Sequence, residues 1–88
     1  MLQNTSVLFV CMGNICRSPS AEGVFRHLIE GEGLSGQFLV DSAGTRDYHI
    51  GRSPDPRAQS AALARGIDIS TLVGRKVLPN DFFVFDYI

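Results

Sequence analysis

The chain has 88 residues, a length that allows one domain and a modest core. With 44% hydrophobic and 19% charged residues, its composition is that of an ordinary globular protein. A net charge of −1 gives no electrostatic footprint for nucleic acid or an anionic membrane, so neither is expected as a partner and any anion recognition must be local.

The start, Met1-Leu2-Gln3-Asn4-Thr5, lacks a basic segment, and the apolar run behind it is too short for a signal peptide or a membrane span. A cytoplasmic location is the expectation. Ser6 to Val10 then reads as a strand apolar on consecutive positions, which suits burial on both faces of a parallel sheet. Gly13 and Asn14 break that pattern, and both tolerate the positive φ of a loop curling around a ligand. Ser18 fits an N-cap and Pro19 a first helical residue. Ala21, Val24, Phe25, Leu28 and Ile29 follow at helical spacing, so they predict an amphipathic helix ending at Gly31 and Gly33.

Phe38-Leu39-Val40 predicts a second short strand, which completes a βαβ unit with a right-handed crossover. Ser42-Ala43-Gly44-Thr45 is expected to turn the chain away from the sheet. Arg46 to Pro54 reads as an exposed loop containing Tyr48 and His49. Asp55-Pro56 repeats the cap-then-proline signal and opens a helix through Ala58, Ala61, Ala62 and Leu63, stopped by Gly66. Ile67 and Ile69 fit a strand or a connecting segment. Leu78 to Phe83 predicts a short helical turn, and Val84 to Ile88 the start of a third strand. A last residue in mid-strand points to truncation or completion by another chain, against the alternative of a small αβ domain with a frayed end. Either way, residues 1–88 are expected to form a single domain.

The stretch with chemistry is Cys11-Met12-Gly13-Asn14-Ile15-Cys16-Arg17-Ser18-Pro19, between the first strand and the first helix. A loop feeding a helix N-terminus offers converging backbone N–H groups to a phosphate or another oxyanion. Arg17 adds a planar fork for two of its oxygens. The five residues between Cys11 and Arg17 suit one turn around a tetrahedral anion. The helix dipole, the loop N–H groups and Arg17 favour a thiolate at Cys11, and the Ser18 hydroxyl adds a hydrogen bond. The stretch lacks the lysine and glycine spacing of a nucleotide P-loop, and it is not G-x-G-x-x-G. The plain alternative is a cysteine packed as a small hydrophobe. Two cysteines in one loop make neither a disulfide framework nor a zinc site, so no metal or other cofactor is expected. Cys16 is either structural or the partner of Cys11 in a reversible redox disulfide.

This run resembles the signature of the low-molecular-weight protein tyrosine phosphatases. The similarity continues through Asp41 to Thr45, Gly51 to Arg57 and Asp81 to Ile88, in collinear order over essentially the whole chain. It implies an α/β, flavodoxin-like three-layer αβα fold with a parallel sheet, here incomplete, with two strands and the start of a third. It implies hydrolysis of aryl phosphate monoesters through a phosphocysteine on Cys11, with Arg17 and Ser18 as the other catalytic residues. Met12, Gly13, Asn14, Ile15, Cys16, Arg17 and Ser18 would form the phosphate-binding loop, with Asn14 held by Ser42. Met12, Ile15, Tyr48 and His49 would line the cleft for a phosphotyrosine protein or a small aryl phosphate. Members of that family are longer, and no residue here matches their general-acid aspartate. Asp41, Asp47 and Asp55 read instead as turn and cap residues. Impaired turnover follows, with a non-catalytic phosphate-binding fragment as the alternative. An arsenate reductase ranks lower, because no further cysteine follows Cys16. A homodimer or strand exchange through the incomplete sheet is a further expectation.

Overall fold

The structure is a computed structural model that describes residues 4–88, so Met1-Leu2-Gln3 of the N-terminal stretch lie outside the described residues. Strand β1 (Thr5–Cys11) pairs in parallel with β2 (Phe38–Gly44), in a register from Thr5 opposite Phe38 to Cys11 opposite Gly44. Helix α1 (Arg17–Gly31) connects them and packs against both strands and against α2 (Pro56–Leu63). A short helix, α3 (Asp81–Val84), precedes the last residues. Leu8, Val40 and Ala43 are fully buried between the layers, which accounts for the unbroken apolar runs in the strands.

The expected third strand is present as a stub on the far side of β1. Tyr87 forms a parallel bridge with Val7, its N–H donates to the Ser6 carbonyl, and its own carbonyl accepts from Leu8 N–H. The Asp86 carboxylate accepts from both the backbone N–H and the hydroxyl of Ser6, which pins the chain end to the strand. The order is therefore β2, β1, stub, the start of a flavodoxin-like sheet.

Several sequence expectations are corrected. Strand β2 does not turn away after Val40 but continues through Gly44. Ser42 and Ala43 are small enough to be buried there, and the ladder beside Phe9 and Val10 stays paired. Asp41 accordingly lies within a strand, not a turn. Ile67 and Ile69 lie in a connecting segment whose side chains are buried in a small cluster with Ala58 and Ala62.

Helix α1 turns a different face inward from the one its periodicity suggests. Its buried residues are Ser18, Pro19, Glu22, Gly23 and Ile29, whereas Val24 is 45% and Leu28 59% exposed. Small residues let the helix approach the sheet and the Ile67–Ile69 segment closely. Glu22 is tolerated inside because Arg26 Nε donates to it at 2.8 Å. The same guanidinium also donates to the Val40 carbonyl. Phe25, half-buried, packs its ring against Phe9 of β1 and edge-on to Phe38 of β2, at centroid distances of 5.7 and 5.3 Å.

Candidate active site

The loop between β1 and α1 closes around the Cys11 sulfur. Ser18 Oγ lies 3.1 Å from Cys11 Sγ, and the Asn14 backbone N–H donates to the same sulfur at 3.3 Å. Asn14 takes the left-handed conformation, φ 58°, as a ligand-wrapping loop was expected to require. Gly13 does not; its missing side chain makes room instead for the His49 ring, whose Cδ2 would lie 3.0 Å from an added Cβ.

Ser18 is not the helix cap. Helix α1 begins at Arg17, and Cys16 occupies the cap position without a side-chain hydrogen bond. The Ser18 hydroxyl is committed to the loop, where it accepts from Asn14 Nδ2 at 2.8 Å. With that lone pair engaged, its single proton is free to point at the Cys11 sulfur. Asp55, by contrast, does cap α2, accepting from Arg57 N–H at 2.8 Å.

Asn14 is 3% exposed and saturated with partners. Besides Ser18, its Nδ2 donates to Ser42 Oγ at 3.0 Å, the pairing that the family resemblance implies. Its Oδ1 accepts from the backbone N–H of Arg75 at 2.9 Å. That N–H can only donate, so the orientation of the Asn14 amide is fixed.

Burial acts most strongly on the Cys11 thiol and by itself pushes the pKa up. The Ser18 hydroxyl and the backbone N–H groups of Ser18, Asn14 and Gly13 outweigh it, so the thiol sits below its ordinary value. Cys11 and Cys16 are both free thiols. Arg17 is exposed at the first residue of α1, and its guanidinium makes no hydrogen bond or ion pair among the described residues.

The remaining predicted residues surround this loop. Met12 is 53% exposed and Ile15 half-buried on its outer side. The segment after β2 follows the loop, with Thr45 N–H donating to the Cys11 carbonyl and Arg46 N–H to that of Met12. It leads to a turn carrying Tyr48, largely exposed, with its ring 6.3 Å from that of His49. Gly51 and Gly74 exchange backbone bonds with the strip around them, and Asp55 N–H donates to the Ile15 carbonyl, so both flanks are tied to the centre.

Sequence reasoning missed Arg75, which it left as a solvated surface residue. Its guanidinium bonds Asp41 Oδ2 at 3.0 Å and takes both oxygens of Asp81 at 3.0 and 3.1 Å. The paired Asp81 raises the Arg75 guanidinium further above its ordinary value, and Arg75 holds the Asp81 carboxyl below its own. Arg75 and Asn14 lie 61 positions apart in sequence, and no local pattern signals their contact.

Fold and loop together define a class: flavodoxin-like αβ proteins with a loop running from a cysteine to an arginine between the first strand and the first helix. Within that class, the chain belongs to the low molecular weight phosphotyrosine protein phosphatase family, whose profile matches residues 6–88. It is 49% identical over 83 residues to the Sus scrofa protein of that name, covering 94% of this chain and 52% of the relative. It is 65% identical over 63 residues to an uncharacterized protein in the rpcF 3′ region of Synechococcus sp. (strain WH8020), covering 72% of this chain and 97% of that one. Among solved structures, YfkJ from Bacillus subtilis superposes with a TM-score of 0.95 at 45% identity, covering 98% of this chain and 54% of YfkJ. The chain thus spans about half the length of the Sus scrofa phosphatase and of YfkJ.

Proposed function

We propose that this chain carries the nucleophilic half of a protein tyrosine phosphatase site, acting on phosphotyrosine proteins or small aryl phosphates. The Cys11 thiolate attacks phosphorus, the S–P bond forms as the P–O(aryl) bond breaks, and the phenolate leaves. Water then cleaves the phosphocysteine, which returns the thiolate and inorganic phosphate. Arg17 and the N–H groups of residues 12–18 hold the phosphoryl oxygens, and Met12, Ile15, Tyr48 and His49 line the approach. The observation that carries this reading is the Cys11 sulfur held at 3.1 Å by Ser18 and 3.3 Å by the Asn14 N–H at the start of a helix.

Residues 1–88 are proposed as one phosphatase-like unit in a cytoplasmic, reducing setting, where Cys11 and Cys16 form at most a reversible disulfide. Phenolate departure is expected to be slow. Asp41, Asp55, Asp68, Asp81 and Asp86 are each engaged in hydrogen bonds of the fold, while Asp47 is exposed in the segment before Tyr48; a second reading is that the loop binds phosphate without efficient turnover. Loss of general-acid help is worth about 10²–10⁴-fold for a poor leaving group and less for an activated one. The exposed face of α1, with Val24 and Leu28, and the edge beside Tyr87 are proposed to pair with a second copy of the chain.

The test is hydrolysis of p-nitrophenyl phosphate by the wild-type chain and by Cys11→Ser. Wild type should release nitrophenol, and the serine variant should be slower by about 10³-fold or more. Equal rates would sink the enzymatic reading, and tight phosphate binding without release would favour the second.

A further inference from the structure

We propose that Arg75 is a positioning residue for the Cys11 loop. Its guanidinium, clamped between Asp41 and Asp81, holds the backbone N–H that fixes the Asn14 amide and, through it, the direction of the Ser18 hydroxyl toward the sulfur. The inference rests on the reading of Cys11 as the nucleophile.

The chain of contacts is continuous. Arg75 N–H donates to Asn14 Oδ1, Asn14 Nδ2 donates to Ser18 Oγ, and Ser18 stands 3.1 Å from the sulfur. Each link has a sense imposed by the one before. A backbone N–H can only donate, so it selects the amide oxygen; the amide nitrogen must then face Ser18, and a Cys11 thiolate, which has no proton of its own, takes the Ser18 proton. Rotating the amide by 180° would set Nδ2 against the Arg75 N–H and turn an acceptor toward Ser18, drawing the hydroxyl proton off the thiolate.

The Arg75 backbone is bridged to Gly44 through its own carbonyl and Val77 N–H, and its side chain adds a clamp from the other side. The planar fork takes both oxygens of Asp81 at 3.0 and 3.1 Å, and Nε donates to Asp41 at 3.0 Å. Asp41 Oδ1 in turn accepts from Ser42 N–H, and Ser42 is the other partner of Asn14 Nδ2. The Arg75 carbonyl accepts from Gly44 N–H at 2.8 Å, beside the end of β1. Both ends of the Asn14 amide therefore trace back to Arg75, one through its backbone N–H and the other through its guanidinium by way of Asp41 and Ser42.

The test is site-resolved alkylation of Cys11 by iodoacetamide as a function of pH, with peptide fragmentation separating Cys11 from Cys16. It is paired with protection by inorganic phosphate and with circular dichroism as the folding check. Arg75→Met keeps the N–H but loses the clamp. It should raise the alkylation midpoint by on the order of 0.5–1 pH unit and weaken phosphate protection about tenfold. Arg75→Lys, which cannot span both carboxylates, should fall between, and Asp81→Asn should shift both readouts in the same direction. Arg75→Met combined with Asn14→Ala should add little to Asn14→Ala alone, because the two act in series.

A folded Arg75→Met with the wild-type midpoint and wild-type phosphate protection overturns the inference. So does a loss of stability alone, or full additivity with Asn14→Ala. If Arg75→Met fails to fold, Asp81→Asn decides by the same criteria. A wild-type midpoint at the ordinary thiol value of about 8.5 overturns the nucleophile reading and this inference with it. A lowered wild-type midpoint that no variant moves overturns this inference alone.

Discussion

Asn14 holds a left-handed backbone that costs a non-glycine residue about 1–2 kcal/mol, and its side chain makes three hydrogen bonds that offset this. The same bonds orient the Ser18 hydroxyl, so the geometry and the protonation of the loop have one source. Asn14→Asp separates them. It is nearly isosteric, but it offers Ser18 only an acceptor. The hydroxyl should turn from the sulfur to the carboxylate, and the added negative charge opposes the thiolate. The Cys11 alkylation midpoint should rise by about one pH unit or more. An unchanged profile would show that the Ser18 proton has no role in holding the thiolate.

Helix α1 shows how an element is placed by what it lacks. Gly23 in its middle costs about 1 kcal/mol against alanine by intrinsic propensity. A Cβ there, however, would lie 2.4 Å from Ile69 Cγ2 and 3.1 Å from Ile67 Cγ2, atoms of stiff β-branched side chains in a buried cluster. Gly23→Ala should therefore destabilise the fold by about 1–3 kcal/mol, read from the urea midpoint, despite the better helix former. Gly31→Ala, at the end of the same helix with nothing within 4 Å of the added carbon, should be neutral or slightly stabilising. Equal effects at the two sites would refute close packing as the reason for Gly23.

At the scale of the whole molecule, one face of the sheet region is unevenly covered. Val24 and Leu28 of α1 are exposed beside a half-buried cluster of Phe9, Phe25 and Phe38, and Phe82, Phe83 and Tyr87 are exposed as well. Exposed apolar surface gathered in this way drives association. Size exclusion with light scattering should find a concentration-dependent dimer, dispersed by Leu28→Glu. A monomer at all concentrations would remove the proposed pairing. No helix among the described residues is long and apolar enough to cross a membrane.

Strand β1, the loop, the two longer helices and the Asp55 cap were legible in the sequence. Each is encoded by short-range rules of periodicity, cap chemistry and the Cys11–Arg17 spacing. The Cys11–Ser18 loop was legible for the same reason, since its residues are contiguous. The tertiary structure decided the rest. It chose which face of α1 is buried, because close approach to Ile67 and Ile69 favours small residues over the larger apolar ones on the opposite side. It drew the Ser18 hydroxyl into the loop and away from the cap. It carried β2 on through Gly44, where the partner strand continues. It brought Arg75 against Asn14 and Asp41 across 61 and 34 positions of sequence, a contact fixed by packing and charge pairing that no local pattern records.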